Sequence, residues 1–259
     1  MTVLEITICL IAVVGSAIIK NGVGVGAGIF LLPFLALVFP PKLALGLGAP
    51  AMLISDLVGV KNYWREWDIK VLKLLLPLAL AGVVFGCYLI EIMPDTLFKQ
   101  LVGVFAIVFS SYNLLKVFKK PDSEPVKPDS DRTNDHTDSK WRDISTVLYG
   151  FVVGVAGTVA HAAGLMMSVY MIHKDDNPRV FVGTLVLFFA VMNIAKLTAY
   201  ANIGIISYQT IILVCALSPA IILGGYMGNA MNKKIPQELF RMAILVFILL
   251  IGVRLLWTA

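Results

Sequence analysis

Eight apolar runs dominate this chain, at roughly 3–39, 43–60, 71–92, 96–118, 144–172, 180–203, 207–230 and 239–258. Most are near the ~20 residues that a membrane-spanning helix needs. The charges left to cover such a chain are few. Only 14% of the 259 residues are Asp, Glu, Lys or Arg, against 59% hydrophobic, where a soluble domain carries about 25% charge. Thirteen of the 37 charged residues fall between Lys119 and Asp143. A soluble enzyme, a nucleic-acid module and a disordered chain are therefore excluded, and the sequence reads as a polytopic membrane protein.

The formal net charge of +5 points in this setting to orientation and anionic lipid rather than to nucleic acid. Cys9, Cys87 and Cys215 each lie in an apolar run, which suits packing and neither a disulfide framework nor a metal set. No basic segment precedes the first apolar run, so Met1 onward is expected to be mature protein without a cleaved signal.

Residues 119–143 form a long polar linker rich in Asp, Ser, Pro and Lys, and the stretches on either side of it look alike. Gly28 pairs with Gly164, Lys42 with Arg179, Gly46 with Gly183, Asp56 with Asn193 and Tyr63 with Tyr200, all 136 or 137 positions apart. Further on, Pro77, Gly82 and Gly86 match Pro219, Gly224 and Gly228 at a separation of 142. An ordered series of this kind predicts a duplicated unit. Basic residues set the orientation. Lys61, Arg65, Lys70 and Lys73 mark an inside loop, and the linker region from Lys116 to Arg142 is basic too. If segments 3–39 and 144–172 each dip in and return as hairpins, then Lys233, Lys234 and Arg241 join them inside, as the positive-inside rule prefers.

The expected fold is thus an all-α polytopic membrane protein of two inverted structural repeats. Each repeat opens with a broken or re-entrant, glycine-interrupted helix followed by three spanning helices. The expected domains are 1–118 as the first membrane repeat, 119–143 as a cytoplasmic linker and 144–259 as the second repeat. Both termini are expected outside, in a multi-pass protein of the inner (plasma) membrane.

The first broken segment holds Lys20, Asn21, Gly22, Gly24, Gly26 and Gly28. Alternating glycines are poor helix formers, and backbone that leaves the helix inside a bilayer must be buried or line a wet cavity. A helix restarting after Gly28 offers bare N–H groups and the positive end of its dipole. Tight helix packing is the plainer alternative. The matching segment holds Thr158, His161, Gly164 and Ser168. His161 is either a packed histidine or a donor and titrating group. Asn193, Lys196 and Tyr200 recur at i, i+3 and i+7 on one helix face. Lys20, Lys196 and Asp56 are costly at depth: either the lysines pair with the aspartate or snorkel, or they serve a midplane cavity. Asp56 and His161 are the candidates for proton coupling. Pro50, Pro77 and Pro219 fall inside spans, where kinks are expected, and Trp64, Trp67, Trp141 and Trp257 fall at span ends as interfacial anchors. Catalytic, nucleotide and metal motifs are lacking.

The run Gly28-Ile29-Phe30-Leu31-Leu32-Pro33-Phe34-Leu35, its echo at Gly154–Ser168 and the Gly-xxx-Gly segments after Pro77 and Pro219 resemble the sulfite exporter TauE/SafE family. The resemblance covers both halves. It implies an integral membrane transporter of two related halves that moves sulfite, sulfoacetate or a similar organosulfur anion. It maps the family's glycine motif onto Gly22, Gly24, Gly26, Gly28 and Pro33. The second copy departs from the pattern, with Val169 at the position of Pro33 and His161 within the cluster. The expected function is a secondary transporter exporting sulfite or an organosulfonate by alternating access. A passive anion channel is the alternative, and a membrane-embedded enzyme a weaker one. Expected partners are the small anion and membrane lipid, with a second copy of the chain as a further candidate. No nucleic acid, cofactor or metal is expected.

Overall fold

The computed structural model describes residues 3–22, 26–118, 138–164, 166–167, 178–232 and 237–258. The expectations placed on Gly24, Ser168, Val169, Lys233 and Lys234 lie outside the described residues, as do those on the side chains of Trp141 and Arg241. Within the described residues the chain is helical, with nine named helices of 10 to 25 residues and no strand. They are α1 Val3–Gly22, α2 Ala27–Ala36, α3 Pro41–Asn62, α4 Ile69–Ile92, α5 Asp95–Phe118, α6 Asp138–Val159, α7 Pro178–Asn202, α8 Tyr208–Asn232 and α9 Gln237–Trp257. Helices are the natural outcome, because hydrocarbon offers backbone N–H and C=O groups no partner and a helix satisfies them internally.

Five helices are long and apolar enough to cross a membrane: α3, α4, Asp95–Leu115 of α5, Arg179–Asn202 of α7 and Tyr208–Gly228 of α8. Helix α2 has 10 residues and rises only about 15 Å, half the hydrocarbon thickness. Helix α6 begins at Asp138, inside the stretch assigned to the linker; once the helix has nucleated, the charged turn ahead of the apolar run adds its own backbone bonds. Pro50, Pro77 and Pro219 all lie within helices, as does Pro33 in α2. Local signals mark several ends. Pro41 occupies the first turn of α3, where its missing N–H costs nothing. Asp68 caps α4, accepting from the amides of Lys70 at 2.7 Å and Val71 at 3.2 Å.

Close approach of backbones organises the bundle. Helix α4 packs along α6, where a side chain on Gly154 would collide with the Ala79 carbonyl and one on Gly82 with the Phe151 carbonyl. Helix α1 packs along α8 in the same manner, with Gly224 on the Val14 carbonyl and Gly228 on the Ile18 carbonyl. Small residues at such crossings let helices pack tightly where lipid gives no hydrophobic drive. Two further pairs run antiparallel. In α5 and α9, Gly103 faces Leu256 while Ile107 faces Gly252. In α3 and α7, Asp56 faces Asn193 while Gly59 faces Val186.

Helix α3 is the most enclosed of the five spans, with 61% of its apolar window inside the protein. The turn after it, 63–68, is pinned to the start of α7. Glu66 accepts two bonds from Arg179, at 2.5 and 2.8 Å, and the Arg179 guanidinium stands 5.7 Å from the Tyr63 ring centre. The Asp68 amide donates to Thr184 Oγ1 at 2.8 Å. The Arg179 guanidinium holds the Glu66 carboxyl below the usual glutamate range. Trp64 and Trp67 meet edge to face in this turn, at 5.6 Å. Cys9 and Cys87 are buried, whereas Cys215 is exposed on the outer face of α8.

Candidate functional site

A cavity of about 50 Å³ lies where α2, the end of α6, α3 and α7 converge. That is room for a small ion with a little water, and far below the pockets that take drug-sized ligands. One wall is the start of α2, from Gly26 through Ile29. Gly26 caps this helix at φ 94, a left-handed conformation that glycine adopts without steric cost. The first intrahelical bond of α2 is Phe30 N–H to Gly26 C=O, at 3.0 Å. The amides ahead of it have no helical partner and carry the positive end of the dipole.

The adjoining wall is the chain that leaves α6. His161 lies just past Val159, with φ 53. A backbone carbonyl of this segment presses directly on Gly28, where any Cβ would collide with it. The Gly28 position is therefore fixed by close approach. The imidazole of His161 is 7% exposed, and neither Nδ1 nor Nε2 has a partner. Buried polar atoms are paired in the great majority of cases, so an unpartnered imidazole on a residue that lines the cavity makes His161 a candidate ligand-binding side chain.

Charge is supplied from the two remaining sides. Lys196 is 5% exposed and donates to the Gly157 carbonyl at 3.3 Å, which places an ammonium at the C-terminal, negative end of α6. Lys20 forms an ion pair with Asp56 and reaches the Met52 carbonyl at 3.4 Å. Its ammonium also stands 5.9 Å from the Phe189 ring centre. Asp56 is fully buried, and its second oxygen accepts from Asn193 Nδ2 at 2.5 Å. The Asn193 side-chain oxygen is left without a partner.

The residues singled out from the sequence divide into two groups. Lys20, Gly26, Gly28, His161, Gly164, Asn193 and Lys196 line the cavity, with Asp56 directly behind Lys20. Three others are not among the lining residues. Asn21 bonds to the Ala17 carbonyl and to Ser55 Oγ at 3.3 Å. Thr158 is fully buried, its hydroxyl returned to the Gly154 carbonyl at 2.8 Å, and its own carbonyl accepts from Tyr200 OH at 2.8 Å. Gly22 is the last residue of α1. Sequence reasoning missed Met52, Phe189 and Met192, which complete the wall. For Met52 and Phe189 the available signal was the i−4 spacing from Asp56 and Asn193 within the same helices; Met192, next to Asn193, had none of this kind. Among the described residues, no group of three His, Cys, Asp or Glu could hold a metal.

A helical bundle with several helices long and apolar enough to cross a membrane, holding buried ammonium groups and an unpartnered imidazole around a small cavity, has the makings of a membrane transport protein. The sulfite exporter TauE/SafE family model matches residues 8–255, and the chain belongs to that family. A relative from Bacillus subtilis (strain 168), described as probable membrane transporter protein YunE, is 24% identical over 253 residues, covering 91% of each chain. No solved structure matches.

Proposed function

We propose that this membrane transporter exports a small anion, sulfite or an organosulfonate, through the cavity at His161. The observation that carries the reading is the unpartnered imidazole of His161, whose one N–H in the neutral ring is available to donate, at a cavity that Lys20, Lys196 and the amide end of α2 also line. These groups replace the water that an anion loses on entering the bilayer. The family and the YunE relative support transport as the activity, and the family description suggests sulfite.

Alternating access by two inverted halves is the mechanism we favour. Residues that correspond across the halves touch, as Asp56 and Asn193 do, and the helices that carry them run antiparallel. The α4–α6 and α1–α8 crossings repeat one pattern of glycine on carbonyl. These contacts suit a two-fold axis lying in the membrane plane, about which one half rocks against the other. The polar linker is assigned to the cytoplasm and both termini to the outside of the plasma membrane. Export of an anion from a cell that is negative inside is favoured by about 2.3 kcal/mol per charge per 100 mV, so uniport suffices.

Flux of sulfite and small sulfonates into proteoliposomes tests the reading. Saturable uptake that falls at least tenfold in Gly28→Leu is expected. Unsaturable currents would replace the carrier with a channel, and unchanged flux in Gly28→Leu would remove the site.

A further inference from the structure

We infer that the cavity selects anions by valence and is built for a singly charged one. The inference rests on the anion-transport reading above and specifies its substrate class. Two ammonium groups, those of Lys20 and Lys196, and one carboxylate, that of Asp56, make up the formal charge at the cavity. Neutral imidazole is the form of an ordinary histidine at pH 7.5, so the set leaves one positive charge over. The other lining residues are glycine, alanine, isoleucine, methionine, phenylalanine and asparagine and bring no charge.

The carboxylate is a fixed part of this arrangement. Asp56 is fully buried and held from both sides, by the Lys20 ammonium on one oxygen and by Asn193 Nδ2 on the other. It therefore acts as a resident anion that has already claimed one of the two cations. Uncompensated charge in a low-dielectric interior is costly in either sign. One incoming negative charge brings the cavity to neutrality. A second would leave it negative, with the Asp56 charge just behind Lys20 and the bare Asn193 side-chain oxygen at the wall, which is a further acceptor where a dianion needs donors.

Methanesulfonate and sulfate test this directly. They share a tetrahedral shape and near-equal size and differ by one charge at pH 7.5. Competition of each unlabelled anion against labelled methanesulfonate, in the full-length protein in proteoliposomes at pH 7.5, reads their relative affinity. In the wild type, methanesulfonate is expected to compete at least tenfold more strongly than sulfate. Asp56→Asn adds one positive charge to the balance and is expected to shift the ratio toward sulfate by at least tenfold. Lys196→Met, which leaves the Lys20–Asp56 pair intact, removes the surplus charge and is expected to weaken methanesulfonate at least tenfold. Sulfate competing as well as methanesulfonate in the wild type would overturn the inference, as would an unshifted ratio in Asp56→Asn. If Asp56→Asn does not fold, the wild-type ratio and Lys196→Met still decide. Failure of sulfite and both competitors to bind at all would sink the anion reading itself, a result distinct from a preference for sulfate.

Discussion

His161 holds a backbone conformation, φ 53, that costs a residue with a Cβ about 1–3 kcal/mol. A histidine kept there, with both nitrogens bare, is given a role for its ring in the function proposed above, against packing as the plainer reading. Two substitutions separate these roles. His161→Gly relieves the backbone and opens space, so the melting temperature is expected within a few degrees of the wild type while transport falls at least tenfold; equal transport in this variant would assign the ring to packing. Thr158→Val is the contrasting case. Its hydroxyl is spent on the Gly154 carbonyl, so flux is expected to stay within about twofold of the wild type, as measured by the same uptake assay. The residue types of the site were legible in the sequence, because ionisable groups at membrane depth are conspicuous. Their pairing was not. Lys20 and Lys196 were equivalent candidates for Asp56, and only the packing of α1 against α3 gives the aspartate to Lys20. Asn21 and Thr158 misled because neighbours in sequence point to different sides of a helix.

At the level of elements, the glycines of the α4–α6 and α1–α8 crossings are structural. Gly154→Leu forces a side chain into the Ala79 carbonyl, and backbone cannot yield as a flexible side chain does. Destabilisation at or beyond the 1–3 kcal/mol typical of overpacking is expected, seen as a lowered thermal transition in detergent. Gly26→Ala contrasts with it. Nothing lies within 4 Å of a Cβ there, so only the left-handed backbone opposes it, and a cost of about 1 kcal/mol is expected in the same measurement. The Glu66–Arg179 contact ties the turn after α3 to α7. Because Arg179 depresses the Glu66 carboxyl, its contribution is present above the unfolded glutamate value of about 4.3 and is lost as pH falls through the lower folded value. The difference in melting temperature between wild type and Glu66→Gln is therefore expected to be small at pH 7, given the exposure of Arg179, and to vanish in acid. A difference that grows on acidification would contradict this. Helix positions were readable from apolar run length alone. Which face of each helix meets protein was not, because spans that are apolar all round carry no stripe to mark the inward side. That is why Phe189 and Met52 escaped notice.

For the whole molecule, the orientation is the most accessible prediction. Single cysteines placed at residue 2 and at residue 259, in a background with Cys9, Cys87 and Cys215 replaced by alanine, are expected to react with an impermeant maleimide added to intact cells. One placed at residue 128 is expected to react only after lysis; termini on opposite sides would rule out two inverted halves. The Asp56–Asn193 contact bears on how such a molecule arose. Where a symmetry axis passes between matching positions, each residue meets its own twin, and a homodimer of identical halves would set two carboxylates against each other in a dry interior. With inverted halves in a single polypeptide, as proposed above, one half can carry the acid and the other its amide, as Asp56 and Asn193 do. On the inverted-repeat reading proposed above, an acid set against its amide at the seam is open to two halves free to diverge and closed to identical ones.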